Sequence, residues 1–257
     1  MVDESIGTSS PNGATSVVLL HGVGLDHTMW APLSERLARR TIAIDLPGHG
    51  AQPPLREPQS LAGLADDVLR RLPDGRVHLV GFSLGALIAQ HIARFHSERV
   101  ATLSCVSAVC RRTPAETAAV ETRLAAAETQ FADSVTASLQ RWYPEDSSVP
   151  AEIKTATERV LLANDVTSYL HAYAVFASGD QEIAPELGQI TVPTLAITGE
   201  LDPGSTPEMS QRLADEVPDA RLVIVPGARH MLPVEDASAL AEALTAFIEE
   251  SEGIHHD

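Results

Sequence analysis

Six short runs of β-branched and apolar residues punctuate the chain: Ser16–Leu20, Thr41–Ile44, Val77–Val80, Val100–Val106, Thr194–Thr198 and Leu222–Val225. Segments of helical period lie between them, and that alternation predicts a parallel sheet covered by helices on both faces. After the third run, Leu84, Leu87, Ile88, His91, Ile92 and Phe95 recur at steps of three and four, as do Leu240, Ala241, Leu244, Phe247 and Ile248 near the end. Each spacing makes one apolar helix face to bury on the sheet. Ser60 ahead of Leu61-Ala62-Gly63-Leu64, with Asp66 and Asp67 following, opens another helix, which Pro73-Asp74-Gly75 closes before the third strand.

The interval 111–190 follows a different rule. It has no strand-like run and is rich in Ala, Glu, Thr and Leu at helical spacing. The predicted helices are Pro114–Glu128, Phe131–Trp142, Ala151–Ala163 and Val166–Ala177, separated by Pro144, Pro150 and a Gly179-Asp180 break. We read a core formed by 1–110 and 191–257, with 111–190 inserted between two core strands as a helical cap. A cap so placed lies over the carboxyl ends of the strands, where open α/β sheets bind their ligands.

Composition narrows the function. The 257 residues include 35 acidic and 18 basic ones, a formal net charge of -17. Nucleic acid and anionic membranes are repelled by such a surface, which leaves a small molecule as the expected partner. Residues 1–15 carry Asp3 and Glu4 and lack the basic and apolar segments of a secretory signal, and no apolar stretch reaches the ~18 residues of a membrane span. Only Cys105 and Cys110 are present, on a strand and its exit, which excludes a disulfide scaffold and fits two packed thiols. The expected compartment is the cytoplasm. No cluster has metal-ligand spacing and no glycine-rich loop has phosphate- or dinucleotide-binding form, so neither metal nor cofactor is expected. His255 and His256 fall in a polar tail. Oligomeric state is not encoded in any pattern found.

The chemistry concentrates around Gly81-Phe82-Ser83-Leu84-Gly85, directly after one apolar run and directly before a helical one. A strand turning sharply into a helix forces its serine into a strained conformation, and only glycine two residues to either side avoids a backbone collision. A serine hydroxyl is a weak nucleophile and needs a base, which in turn needs an orienting acid. The run at 194–198 leads into Gly199-Glu200-Leu201-Asp202-Pro203, and that at 222–225 into Pro226-Gly227-Ala228-Arg229-His230-Met231. Ser83, Asp202 and His230 therefore follow strands in the order nucleophile, acid, base, with Glu200 as a rival acid. His78 and His91 flank Ser83 in the predicted strand and helix and fit packing roles.

These segments resemble the α/β-hydrolase superfamily over nearly the whole chain, from about Ser16 to Ile248. The resemblance implies an α/β-hydrolase fold: a mostly parallel sheet of six or seven strands with helices on both faces and an inserted cap. His21-Gly22-Val23-Gly24-Leu25-Asp26 resembles the oxyanion segment of cofactor-free esterases in that superfamily, which assigns the backbone N–H groups of Val23 and Leu84 to an oxyanion hole. His21 then ties that loop in place, and Asp45-Leu46-Pro47-Gly48-His49-Gly50 shapes a turn. His21–Asp26, Gly81–Gly85, Tyr169–Pro185 and Gly199–Asp202 are similar to the 3-oxoadipate enol-lactonase group, and the first two also to BioH-type carboxylesterases. Serine as nucleophile sets the chain apart from the dehalogenase and epoxide-hydrolase branches.

Two departures stand out. Relatives usually carry two strands ahead of the oxyanion strand, whereas at most one short edge strand fits before Ser16, and Ala86 replaces a further glycine. The expected reaction is cofactor-free hydrolysis of a small carboxylic ester or lactone; carbon–carbon bond hydrolysis, a lyase reaction and non-catalytic ligand binding are the alternatives on the same fold. Candidate pocket residues are Trp30, Phe82, Trp142, Tyr169, Tyr173 and Met231, joined by Tyr143, Phe176 and His171. Arg111, Arg112, Arg123 and Arg141 are candidates to hold a substrate carboxylate.

Overall fold

The four residues of strand β1, Val17–Leu20, are all buried. Val17 and Leu19 join one core with Trp30, Leu33, Leu244 and Phe247, while Val18 and Leu20 join another with Leu61, Leu64, Leu84 and Leu87. A strand covered on both faces reads as an unbroken apolar run, which is why the pattern at 17–20 lacks polar alternation. The structure, a computed structural model, describes residues 15–253. A possible edge strand before Ser16 and the tail histidines His255 and His256 lie outside the described residues.

The remaining strands are β2 (Thr41–Ile44), β3 (Val77–Phe82), β4 (Val100–Val106), β5 (Thr194–Gly199) and β6 (Ala220–Val225). They form a six-stranded sheet in the order β2-β1-β3-β4-β5-β6, with every pair parallel. The helices are α1 (Ala31–Ser34), α2 (Leu61–Arg71), α3 (Leu84–Phe95), α4 (Pro114–Thr129), α5 (Phe131–Trp142), α6 (Ala151–Leu162), α7 (Val166–Ile183), α8 (Pro207–Glu216), α9 (Leu232–Glu235) and α10 (Ala237–Gly253). Buried residues of α2, α3 and α8 cover one face of the sheet, and those of α1 and α10 the other. The fold class expected from the alternation of runs is the one observed.

The chain passes from β1 to β2 on one side and then returns to place β3 on the other. The order of strands therefore reverses between β1 and β3, which opens a crevice at their carboxyl ends. Register carries Leu20 beside Gly81, Gly81 beside Cys105 and Val106 beside Ile197, so the loops leaving β1, β3, β4 and β5 emerge close together. Helices α4–α7 all lie in the connection between β4 and β5.

Local signals set most boundaries. Ser60 caps α2 by accepting from the Gly63 N–H at 3.1 Å, and Thr113 and Glu116 form a reciprocal capping box at the start of α4. One expected boundary is wrong. Gly179-Asp180 does not end α7, which continues to Ile183. Tertiary contact overrides the local signal: α7 packs so closely on α3 that a Cβ at Gly179 would lie 3.1 Å from Leu87 Cδ1. Asp180 is held there by an ion pair with Arg112, both side chains being buried.

Candidate active site

Strand β3 runs through Phe82 and α3 begins at Leu84, leaving Ser83 alone to make the turn. Its backbone sits at φ 54°, ψ −112°, outside the regions that non-glycine residues ordinarily occupy. The neighbours fix this conformation. The Ser83 N–H donates to the Val106 carbonyl at 3.0 Å, and the Gly85 N–H to the His21 carbonyl at 3.1 Å. A Cβ at Gly81 would strike the Gly85 carbonyl, and one at Gly85 the Leu20 carbonyl. Both glycines are demanded by close backbone approach, as the sterics of a strand-to-helix elbow require.

The loop after β1 lies beside this turn. His21 is fully buried; its Nδ1–H donates to the Gly22 carbonyl at 2.7 Å, and its Nε2 accepts from the Leu46 N–H at 2.9 Å. An acceptor-only carbonyl and a donor-only amide specify the neutral tautomer. Burial above all, with the nearby His49, lowers the His21 pKa to about 3, so the ring stays neutral and serves as a brace. The Val23 and Leu84 N–H groups donate to no other described residue. Leu84 is the first residue of α3, where a helix leaves its amides unpaired. From the other side, Asn164 Nδ2 donates to the Gly24 carbonyl at 2.8 Å, fastening the α6–α7 junction onto the loop.

Asp202 lies just past β5, and His230 in the loop after β6. His230 Nδ1 donates to Asp202 Oδ2 at 2.8 Å, while Oδ1 accepts from the Gly204 and Ser205 N–H groups, each at 2.9 Å. Burial acts to raise the Asp202 pKa. The charge and hydrogen bond of His230 and the two amides outweigh it, holding this carboxyl below its ordinary value. Glu200, the rival acid, instead accepts from the Gly227 N–H at 2.9 Å on the exposed side of the loop. Ser107, at φ 46°, adds a tether unforeseen from the sequence: its hydroxyl donates to the His230 carbonyl at 3.0 Å. His230 is gripped between Phe82, with ring centroids 5.0 Å apart, and Trp142, which stacks on it at 5.7 Å and 25°.

Ser83 and His230 line one cavity, together with Val23, Trp142, Tyr169 and Tyr173. Ser83 Oγ makes no hydrogen bond to any described residue and faces the same space as the imidazole. Pro203, Gly204 and Ser205 complete the wall next to Asp202; their place right after the acid was the signal for them. A larger cleft between α1 and α6 contains none of these groups.

Three expected pocket residues require correction. Trp30, Phe82 and Met231 are 0%, 1% and 0% exposed and lie in the core beneath the cavity, where Trp30 meets Phe82 edge-on. Adjacency along the chain, of Phe82 to Ser83 or of Met231 to His230, does not give a shared side-chain direction. Tyr143 is likewise buried away from the wall, Phe176 lies on it, and His171 does not line it. His78 sits between Thr102 and Glu252 in the sheet, and His91 packs on Phe95.

Comparison with known proteins agrees with this architecture. A hydrolase of Acinetobacter baylyi acting on (E)-2-((N-methylformamido)methylene)succinate is 31% identical over 242 residues, covering 91% of this chain and 90% of the relative. A pimeloyl-[acyl-carrier protein] methyl ester esterase of Neisseria meningitidis is 28% identical, covering 94% and 95%. The crystal structure of an enol-lactonase from Burkholderia xenovorans superposes with a TM-score of 0.84 at 26% identity, covering 93% and 92%. The sequence model of the Alpha/beta hydrolase family matches residues 17–243, and with the elbow and strand order found here the chain belongs to that family.

Proposed function

We propose that the protein is a serine hydrolase that cleaves a small carboxylic ester or lactone through an acyl-enzyme. The observation that carries this reading is the Asp202–His230 hydrogen bond of 2.8 Å behind a cavity that Ser83 also faces. With Nδ1–H engaged by Asp202, His230 presents Nε2 as the base. Ser83 Oγ attacks the acyl carbon while Nε2 takes its proton. The carbonyl oxygen, now an oxyanion, accepts from the Val23 and Leu84 N–H groups, each worth about 3–4 kcal/mol in the transition state. His230 returns the proton to the departing oxygen, which leaves as an alcohol or, in a lactone, as a tethered hydroxyl. Water then attacks the acyl carbon, giving its proton to His230, and the acid departs as Ser83 regains its hydrogen. Substrate binding draws Ser83 Oγ and Nε2 into hydrogen-bond contact, as is common when a resting site closes on its ligand.

In this reading α4–α7 form a cap over the carboxyl ends of the strands, and Trp142, Tyr169 and Tyr173 shape the substrate pocket. The named activities of two relatives, on a methyl ester and on an enol-lactone, support acyl–oxygen cleavage. The Acinetobacter baylyi relative is named for a succinate derivative whose name contains no ester. That name favours a second reading, cleavage of a different bond by the same residues, which product analysis of a diketone panel against simple esters separates from the first.

A fluorophosphonate probe tests the nucleophile. The native protein is expected to be labelled and Ser83→Ala to remain unlabelled. Absence of label on the native protein, or equal label on both, sinks the hydrolase reading in favour of a ligand-binding protein. Turnover of aryl acetates with none of any enol-lactone assigns an esterase and removes the lactone.

A further inference from the structure

The four arginines near the site divide into two kinds. Arg111 pairs with Glu216 at 2.9 Å and Arg112 with Asp180 at 2.5 Å, so the charge of each is answered within the protein. Arg123 on α4 and Arg141 on α5 pair with no carboxylate among the described residues, yet both line the cavity that holds Ser83 and His230. Arg141 Nη1 donates to the Ala137 carbonyl at 3.1 Å and Nη2 to Ser138 Oγ at 2.9 Å, and Ser138 shares the cavity wall. Burial first, and then the neighbouring charge of Arg123, disfavours the Arg141 cation.

This arrangement runs against the rest of the molecule. Acidic residues outnumber basic ones by 35 to 18, yet no Asp or Glu among the described residues lines this cavity. Two adjacent cations without a counter-charge in a half-buried site are unfavourable until an anion enters. The planar guanidinium fork matches a carboxylate, which accepts paired charge-assisted hydrogen bonds from it. We propose that Arg123 and Arg141 form a carboxylate subsite, making the substrate a small ester or lactone that also carries a free carboxylate. The proposal rests on the hydrolase reading for the reaction, but the subsite itself is a binding claim.

Kinetics and binding test the two separately. The 4-nitrophenyl half-ester of adipate and 4-nitrophenyl hexanoate have the same acyl length and differ in one carboxylate; 4-acetoxybenzoate against phenyl acetate places the charge on the leaving side. In one of these pairs the charged ester is expected to have the higher kcat/KM. Arg123→Gln and Arg141→Gln are each expected to lower that charged-to-neutral ratio about 10- to 100-fold, mostly through KM, with Arg141→Lys restoring part of it. Calorimetry of adipate with Ser83→Ala protein reads the subsite without any turnover, and adding Arg141→Gln is expected to weaken binding at least about tenfold. An inert wild type that still binds adipate through Arg141 sinks the hydrolase reading and keeps the subsite. Ratios unmoved by both substitutions, in variants whose Tm shows them folded, or adipate binding indifferent to Arg141, overturns the subsite.

Discussion

Ser83 at φ 54° is the point where strain and chemistry coincide, and the cost of that backbone is met by contacts on both sides. The Gly85 N–H reaches the His21 carbonyl, and the Gly85 Cα lies against the Leu20 carbonyl with no room for a methyl group. Gly85→Ala is therefore expected to force β1 and α3 apart, lowering stability by about 1–3 kcal/mol and displacing the Leu84 N–H from its position. Urea denaturation with a parallel activity assay checks this; a stable and fully active variant would show that the approach is less tight than described. The elbow was readable in the sequence because Gly81, Ser83 and Gly85 fall within five consecutive residues between a strand-like run and a helical one. Ser107 was not. Nothing in Val106-Ser107-Ala108 marks a positive φ, and the partner of its hydroxyl, the His230 carbonyl, comes from a loop more than a hundred positions away.

Among the elements, α7 explains best where local signals stop. Gly179-Asp180 reads as a break by itself, but in the fold the glycine admits Leu87 and the carboxylate accepts from Arg112, whose Nη1 also donates to the Phe176 and Ala177 carbonyls at 3.1 and 3.2 Å. The pair joins the start of the β4–β5 connection to its last helix. Removing one member leaves the other charge buried without an answer, so Asp180→Ala is expected to destabilise the protein by about 3–5 kcal/mol. Thermal denaturation checks the size of the loss, and a change under about 1 kcal/mol would place the pair in the class of surface bridges. The strands were legible because a sheet buried on both faces needs unbroken apolar runs. The pocket was only half legible: Trp142, Tyr169 and Tyr173 reach it, whereas Trp30, Phe82 and Met231 support it from below.

Buried histidines give the whole molecule a characteristic acid response. Burial lowers the pKa of His21 to about 3 and also lowers those of His49, His78 and His91. In the unfolded chain these rings take up protons near pH 6.5, but in the folded state burial moves that uptake to lower pH. Stability is then complete above that pH and falls on acidification, His21 alone contributing about 1.4 kcal/mol per pH unit below 6.5 until its folded pKa is reached. Asp202 and Asp45, whose carboxyls are held below their ordinary range, add a second loss only below about pH 4. Urea midpoints at pH 7.5, 6.0 and 5.0 are expected to decline steadily, and His21→Gln to flatten that decline. Equal slopes for the two proteins would deny His21 its part, because general charge effects cancel in the comparison.

The parallel sheet, the inserted helices and the elbow were legible along the chain, since apolar periodicity, helix caps and the glycine spacing of Gly81 and Gly85 are patterns among residues near one another in it. The chain also brought Ser83, Asp202 and His230 into order by their places after strands. Only in the fold does it become visible that Asp202 and not Glu200 holds His230, that α7 runs through its apparent break, and that two of four arginines face the cavity with no carboxylate partner among the described residues. Those outcomes depend on distances between segments that only the folded sheet brings together, and on which charges find a partner once it has formed.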